Sequence, residues 1–275
     1  MRQKVYQTDI FARAVSIGIF PIFLFILPYN AIDPINAPKM FFLVITAFVC
    51  GSLGVFFRKE LRLAELKVHV ILLLLFLLQM LIVMFFSGSN VSVQFFGTFG
   101  RNTGFLTYFS LAIIFYFSAH ASINGSAKYL LNSLTIVLTI SGVYGGIQAL
   151  GLDPIPWDNI FSPVIGFLGN PNFSSSMIGL SCVVATGLIL HFKVSKFALV
   201  SLFGYELLAL FVILKTQSIQ GFVVFGLTTG ILVLIALYKS EKVKRIWVAS
   251  YALLGGVVGV TALFGMVNIG PLSAY

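Results

Sequence analysis

An all-α, polytopic membrane bundle is the fold this sequence predicts, and three observations predict it. Of 275 residues, 59% are hydrophobic and only 9% are charged, whereas soluble chains carry about a quarter charged residues. The apolar residues gather into repeated runs of about 17–22, each long enough, or nearly so, to cross a hydrocarbon core about 30 Å thick at 1.5 Å per residue. Lysine and arginine then fall between those runs in a one-sided pattern. Runs so long and uniformly apolar do not suit barrel strands, and only helices or closed barrels satisfy every backbone group in lipid.

About nine spans follow, at residues 12–29, 40–57, 69–86, 105–121, 129–150, 172–191, 197–214, 220–238 and 247–267. Arg2, Lys4 and Arg13 lie before or at the start of the first, and Arg58, Lys59, Arg62 and Lys67 follow the second. Lys128 follows the fourth, Lys193 and Lys196 the sixth, and Lys239, Lys242, Lys244 and Arg245 the eighth. These share one face; of the 17 cations only Lys39, Arg101 and Lys215 fall on the other. The positive-inside rule puts the amino terminus in the cytoplasm and the carboxyl terminus outside, within one integral-membrane domain over 1–275.

The net charge of +9 is then the positive-inside bias, with cytoplasmic lysines meeting anionic membrane lipids, and no nucleic acid is needed to explain it. The first run is long and lacks a small-residue cleavage site, so it reads as a retained helix. Cys50 and Cys182 lie inside spans without metal-like spacing and read as small apolar packing residues.

In chain order, Pro21 and Pro28 should kink or end the first span. A short outside loop at 32–39 carries Asp33, Pro34 and Pro38. The cytoplasmic segment 58–69 mixes charge with leucine and predicts a helix lying along the interface, its basic side chains snorkelling. Two outside connectors are long for a bundle, at 87–104 and 151–171. Both are glycine- or proline-rich and nearly uncharged, so the working face is expected outside.

The first of those connectors ends in Gly97-Thr98-Phe99-Gly100-Arg101-Asn102-Thr103-Gly104. Arg101 reads in two ways: an interfacial arginine bonding loop carbonyls or lipid phosphate, or an anion clamp whose guanidinium fork matches phosphate oxygens. On the second reading Gly97, Gly100 and Gly104 let backbone N–H groups approach the same anion, and Asn102 and Thr103 add polar donors. The helix expected to start near Gly104 directs its positive end to the same place.

Lys215-Thr216-Gln217-Ser218-Ile219-Gln220 is a second outside polar cluster. It is either a tight solvated turn or a helix start where Lys215, Gln220 and Gly221 face an anion. Glu206, halfway along the seventh span, is either a functional carboxylate or a hydrogen-bonded packing residue beside Tyr205. Gln79 and Gln148 read as helix–helix glue. Asp153 and Asp158 are on the right side for a base, but Asp153-Pro154 reads first as turn chemistry. His69, His120 and His191 fall at cytoplasmic span ends with no metal-spaced partners. The residues alone compose an outward anion-binding cavity without a complete catalytic set.

Several stretches resemble a known family. Gly100-Arg101-Asn102-Thr103-Gly104 resembles the arginine-x-x-glycine segment of the O-antigen ligase and polymerase family. Gln148-Ala149-Leu150-Gly151-Leu152-Asp153-Pro154, with Gly166-Phe167-Leu168-Gly169-Asn170-Pro171-Asn172-Phe173, is similar to that family's outside loop entering a helix. Lys215 through Gly221 looks like its threonine-x-serine-x-glycine segment. The resemblance covers about residues 90–275 and implies a bacterial inner-membrane glycosyltransferase needing neither metal nor nucleotide cofactor. Such an enzyme moves a glycan from undecaprenyl diphosphate to a lipid acceptor, such as lipid A–core, at the outer face.

On that resemblance Arg101 binds the diphosphate, Gly169, Asn170 and Asn172 shape the site, and Ser218 and Gln220 line it. Ile219 stands where many members have arginine, leaving the second cationic contact to Lys215 or Gln220. Family members continue into a further outside loop with an arginine and an acceptor-activating histidine. This chain shows neither, so it is expected to be the amino-terminal, donor-binding part of such an enzyme, with its catalytic residue unknown. A secondary transporter or flippase using Glu206, and a non-catalytic membrane subunit, are the competing expectations. The matched broken helices usual in transporters are not apparent.

Overall fold

The computed structural model describes residues 2–27, 32–61, 65–157, 162–191, 194–240 and 243–266, and side chains from residue 10 onward except 191 and 258–266. Pro28, Arg62, Asp158, Lys193 and Lys242 therefore lie outside the described residues, as do the side chains of Arg2, Lys4 and His191. The described chain is helical throughout: α1 (Arg2–Leu24), α2 (Asn36–Phe56), α3 (Lys67–Phe86), α4 (Val91–Phe96), α5 (Phe105–Ile123), α6 (Ala127–Ala149), α7 (Pro171–His191), α8 (Lys196–Thr216), α9 (Ile219–Lys239) and α10 (Arg245–Met266). Each predicted span has a helix, and α4 is an addition inside the long connector. Seven helices, α2, α3 and α5 to α9, are long and apolar enough to cross a membrane, with Ile10–Leu24 and Arg245–Val257 as shorter apolar stretches. This is a multi-pass helical membrane protein.

Local chemistry explains the ends. Pro21 does not stop α1, which ends one turn later at Leu24; a proline in the last turn forfeits a single ladder bond. Asp33 Oδ1 accepts the Ile35 N–H (3.3 Å) and the Asn36 N–H (2.8 Å), serving donors that α2 cannot pair internally. Pro38 then sits in the first turn of α2, where its missing N–H costs nothing.

The interfacial helix expected over 58–69 falls in part, at residues 62–64, outside the described residues. Among the described residues of that segment, Arg58–Glu60 form a 3-10 turn and α3 begins at Lys67. The backbone of the turn is tied inward, because the ring of His120 on α5, itself fully buried, lies 3.2 Å from the Glu60 carbonyl through Nε2. Leu66 is likewise buried rather than spread on a surface.

The chain divides into two compact units, one of residues 1–140 with 167–169, the other of 141–166 with 170–275. In the first, α1, α2 and α5 pack around Phe11, Val15, Cys50 and Phe117. Phe11 stacks on Phe117 at 4.9 Å between centroids and meets His120 edge-on at 5.3 Å. The helix α3 leans on α5 through Phe76 and Tyr108 and leaves most of its surface open, as suits a helix facing lipid tails.

In the second unit α7 packs on both α8 and α9 around Val164, Ile178, Cys182, Ala209, Val212 and Ile213. Cys50 and Cys182 are free and buried, as small packing residues.

Candidate functional site

The arginine loop belongs to the first unit. Asn90 caps the six-residue α4, its Oδ1 accepting the Ser92 N–H at 2.9 Å. The chain then leaves through Gly97 (φ 91°), turns at Gly100 (φ 79°) and returns at Gly104, the N-cap of α5. A Cβ on Gly104 would collide with the backbone of Phe95, Phe96 and Gly97, so the loop closes on itself at a point only glycine permits. Thr98 O accepts from the N–H groups of Arg101 (3.0 Å) and Asn102 (2.9 Å). Asn102 is left-handed at φ 51°.

That closed loop is latched to the segment before α2. Asn36 Nδ2 donates to Gly100 O, and Asn102 Nδ2 donates to Asp33 Oδ2 at 3.3 Å. The Thr107 hydroxyl donates to Asn102 O. Asn102, expected as a ligand donor, thus holds the loop, and Gly104 is buried in its closure. The Arg101 side chain remains exposed at the tip, with no hydrogen bond or ion pair to another described residue. Gly169 is in the same unit; at φ 67° it faces Ile35 so closely that no side chain fits. Asp33 and Asn36 were not anticipated as partners of this loop, because nothing in a sequence couples positions more than sixty residues apart.

The second polar cluster lies in the other unit, where α7 and α9 run parallel with their N-termini side by side. Asn170 begins α7: its Oδ1 accepts the Asn172 N–H at 2.9 Å and its carbonyl accepts the Ser174 N–H at 2.9 Å. Ser218 caps α9, its Oγ accepting the Gln220 N–H at 3.3 Å, after Gln217 turns left-handed at φ 57°. The Ser175 hydroxyl meets the Ser218 hydroxyl at 3.0 Å, and the Ser176 hydroxyl donates to Gln220 Oε1 at 3.3 Å.

Close backbone approach makes this possible. A Cβ on Gly221 would lie 2.7 Å from Ser175 O and 2.8 Å from Ile213 Cγ2. The segments around Asn170–Asn172 and Ser218–Gln220, read separately in the sequence, form one polar end. Asn172, Gln220 and Lys215 are exposed there, and Lys215 Nζ lies 5.7 Å above the Phe211 ring. Two helix N-termini side by side combine their positive ends, so this end suits an anion. The serine triplet 174–176 was the visible signal for it.

The approach to α7 is organised by a residue expected only as helix–helix glue. Gln148 is 3% exposed, and its Oε1 accepts two successive N–H groups, from Ile165 (3.1 Å) and Gly166 (2.7 Å). Its Nε2 donates to Asp153 Oδ2 at 2.7 Å. The same oxygen accepts the Tyr144 hydroxyl at 3.0 Å, which in turn accepts Trp157 Nε1 at 3.0 Å. Asp153 Oδ1 accepts the Ile155 N–H at 3.0 Å, the turn chemistry expected of it. The Ser174 hydroxyl donates to Ile165 O, joining this bracing to the first turn of α7.

Glu206 is deeper in the same unit. Its Oε1 accepts the Thr186 hydroxyl at 2.6 Å, bonding α8 to α7, while the neighbouring Tyr205 hydroxyl donates to Ser181 Oγ at 2.7 Å. Nine helical residues separate Glu206 from Lys215, about 14 Å along the axis. Glu206 is therefore a hydrogen-bonded interhelical residue set apart from the polar end. Among the described residues no three of His, Cys, Asp and Glu converge as metal ligands would.

No family model, curated protein or solved structure matches this chain.

Proposed function

We propose that this protein is a membrane glycosyltransferase of the O-antigen ligase type. It takes a glycan from undecaprenyl diphosphate and delivers it to a lipid acceptor such as lipid A–core at the outer face of a bacterial inner membrane. The observation that carries the reading is the Ser175–Ser218 contact, because it joins the Asn170–Asn172 and Ser218–Gln220 segments into one end rich in helix N-termini. Those are two of the segments that resemble the family. Within the first unit, the exposed Arg101 guanidinium, with no side-chain hydrogen bond or ion pair to another described residue, is a separate candidate anion contact.

In the reaction an acceptor hydroxyl oxygen bonds to the anomeric carbon as that carbon's bond to the diphosphate oxygen breaks. The hydroxyl proton passes to a base that none of these residues supplies. The departing diphosphate gains charge, and cations and helix N-termini placed on it stabilise the transition state more than the ground state. Asn170, Asn172, Ser218 and Gln220 hold the phosphates.

The test is glycan transfer, or retention of undecaprenyl-diphosphate-linked oligosaccharide, by membranes carrying the full chain. Arg101→Ala should abolish it and Glu206→Ala should leave most of it. Full activity in Arg101→Ala, or loss confined to Glu206→Ala together with proton-dependent uptake, would overturn the reading in favour of a transporter.

A further inference from the structure

Within the first unit, the seam between α1 and α2 opens into a groove of about 440 Å³. Its walls are Ile10, Ala14 and Ile17 on one helix and Phe42, Ile45 and Val49 on the other. The helices touch at Gly18 and Thr46 in the floor, and the Thr46 hydroxyl is already donated to Phe42 O at 2.7 Å. Nothing polar is offered along the walls until Arg13. The Arg13 guanidinium carbon lies 5.3 Å from the Tyr129 ring centroid, and Lys128 Nζ lies 5.2 Å from the same centroid. Arg13 and Lys128 thus both lie beside the Tyr129 ring towards one end of the groove, and Lys128 has no carboxylate partner among the described residues.

We propose that this seam binds an anionic phospholipid, its acyl chain in the groove and its phosphate on Arg13 and Lys128. The shape selects a chain rather than a helix. From Ile10 to Pro21 the groove runs about 16 Å, and a helix about 10 Å across would need roughly three times the volume over that length. The charge selects the headgroup: paired cations beside transmembrane helices attract anionic lipid by about fivefold per charge, whereas a zwitterionic headgroup gains little. Guanidinium adds the bidentate match to phosphate that an ammonium lacks.

Native mass spectrometry of the purified full chain, titrated with phosphatidylglycerol and phosphatidylcholine in equal amounts, tests this. The wild-type protein should retain phosphatidylglycerol preferentially, and Arg13→Gln with Lys128→Gln should remove most of that preference. Ala14→Phe fills the groove without changing charge and should also lower retention, whereas Lys244→Gln in the other unit should not. Should Ala14→Phe fail to fold, judged by gel filtration, Ile17→Trp at the rim replaces it. Equal retention of both lipids by the wild type would overturn the proposal. So would retention unchanged by filling the groove, or lowered as much by Lys244→Gln, either of which means general surface charge.

Discussion

The Ser175 and Ser218 hydroxyls meet at 3.0 Å, both side chains buried, tying the first turn of α7 to the cap of α9. Each belongs to a helix start, and each start is otherwise served by its own neighbours: Asn170 for α7 and Ser218 for α9. The bond makes two local caps into one polar end.

Ser218→Ala removes the cap and this contact together. The expected loss is about 1–2 kcal/mol of stability. Ser218→Thr, which keeps the oxygen, should recover most of it. Unfolding of the purified protein in mixed micelles reads the difference, and identical midpoints for serine and alanine would contradict the assignment.

Gly221→Val should be worse, because its Cβ meets Ser175 O at 2.7 Å and the helices must separate. Overpacking of this kind costs about 1–3 kcal/mol. Gly226→Ala, five positions along the same helix with open space at its Cβ, is the matched control and should be neutral. A disulfide-trapping series between α7 and α9 would report the spacing directly.

Gln148→Ala leaves the Ile165 and Gly166 N–H groups without their acceptor, while Asp153 Oδ2 keeps its bond from Tyr144. At about 1–3 kcal/mol for each buried unsatisfied group, the connector before α7 should come loose. Gln148→Glu keeps the shape and sets two carboxylates face to face, so it should not rescue. Limited proteolysis in proteoliposomes measures this as faster cleavage near 150–170; unchanged cleavage in both variants would show that the bracing is unimportant.

Glu206→Gln retains an acceptor for Thr186 and should change stability and transfer little. Thr186→Val removes the donor, and interhelical hydrogen bonds in membranes average about 0.6 kcal/mol. Activity lost in Glu206→Gln but kept in Thr186→Val would mean that the carboxylate itself is used.

A double-mutant cycle asks whether Arg101 and Lys215 serve one anion. If they do, Arg101→Ala and Lys215→Ala should fall short of additivity in donor retention, since coupled residues deviate by about 0.5–3 kcal/mol. Additive losses would assign them to different tasks.

The sequence by itself determined the membrane class, the positions of the long helices and helix starts near Gly104, Asn172 and Gln220, each within a few residues of the observed ones. Those depend on runs of apolar residues and on side chains that cap their own neighbours, both of which are local. It also marked Arg101 and the Ser218–Gln220 segment as unusual. At Arg58–Glu60 the buried ring of His120 lies beside the Glu60 carbonyl, a contact that the mixed charge-and-leucine pattern of the segment does not encode. Tertiary structure alone decided that Asn102 is occupied by Asp33, that Gln148 braces a loop, and that Ser175 sits against Ser218. Such partners are chosen by how helices cross, through close approaches like that at Gly221, and the crossing is a property of packed surfaces that no local pattern encodes.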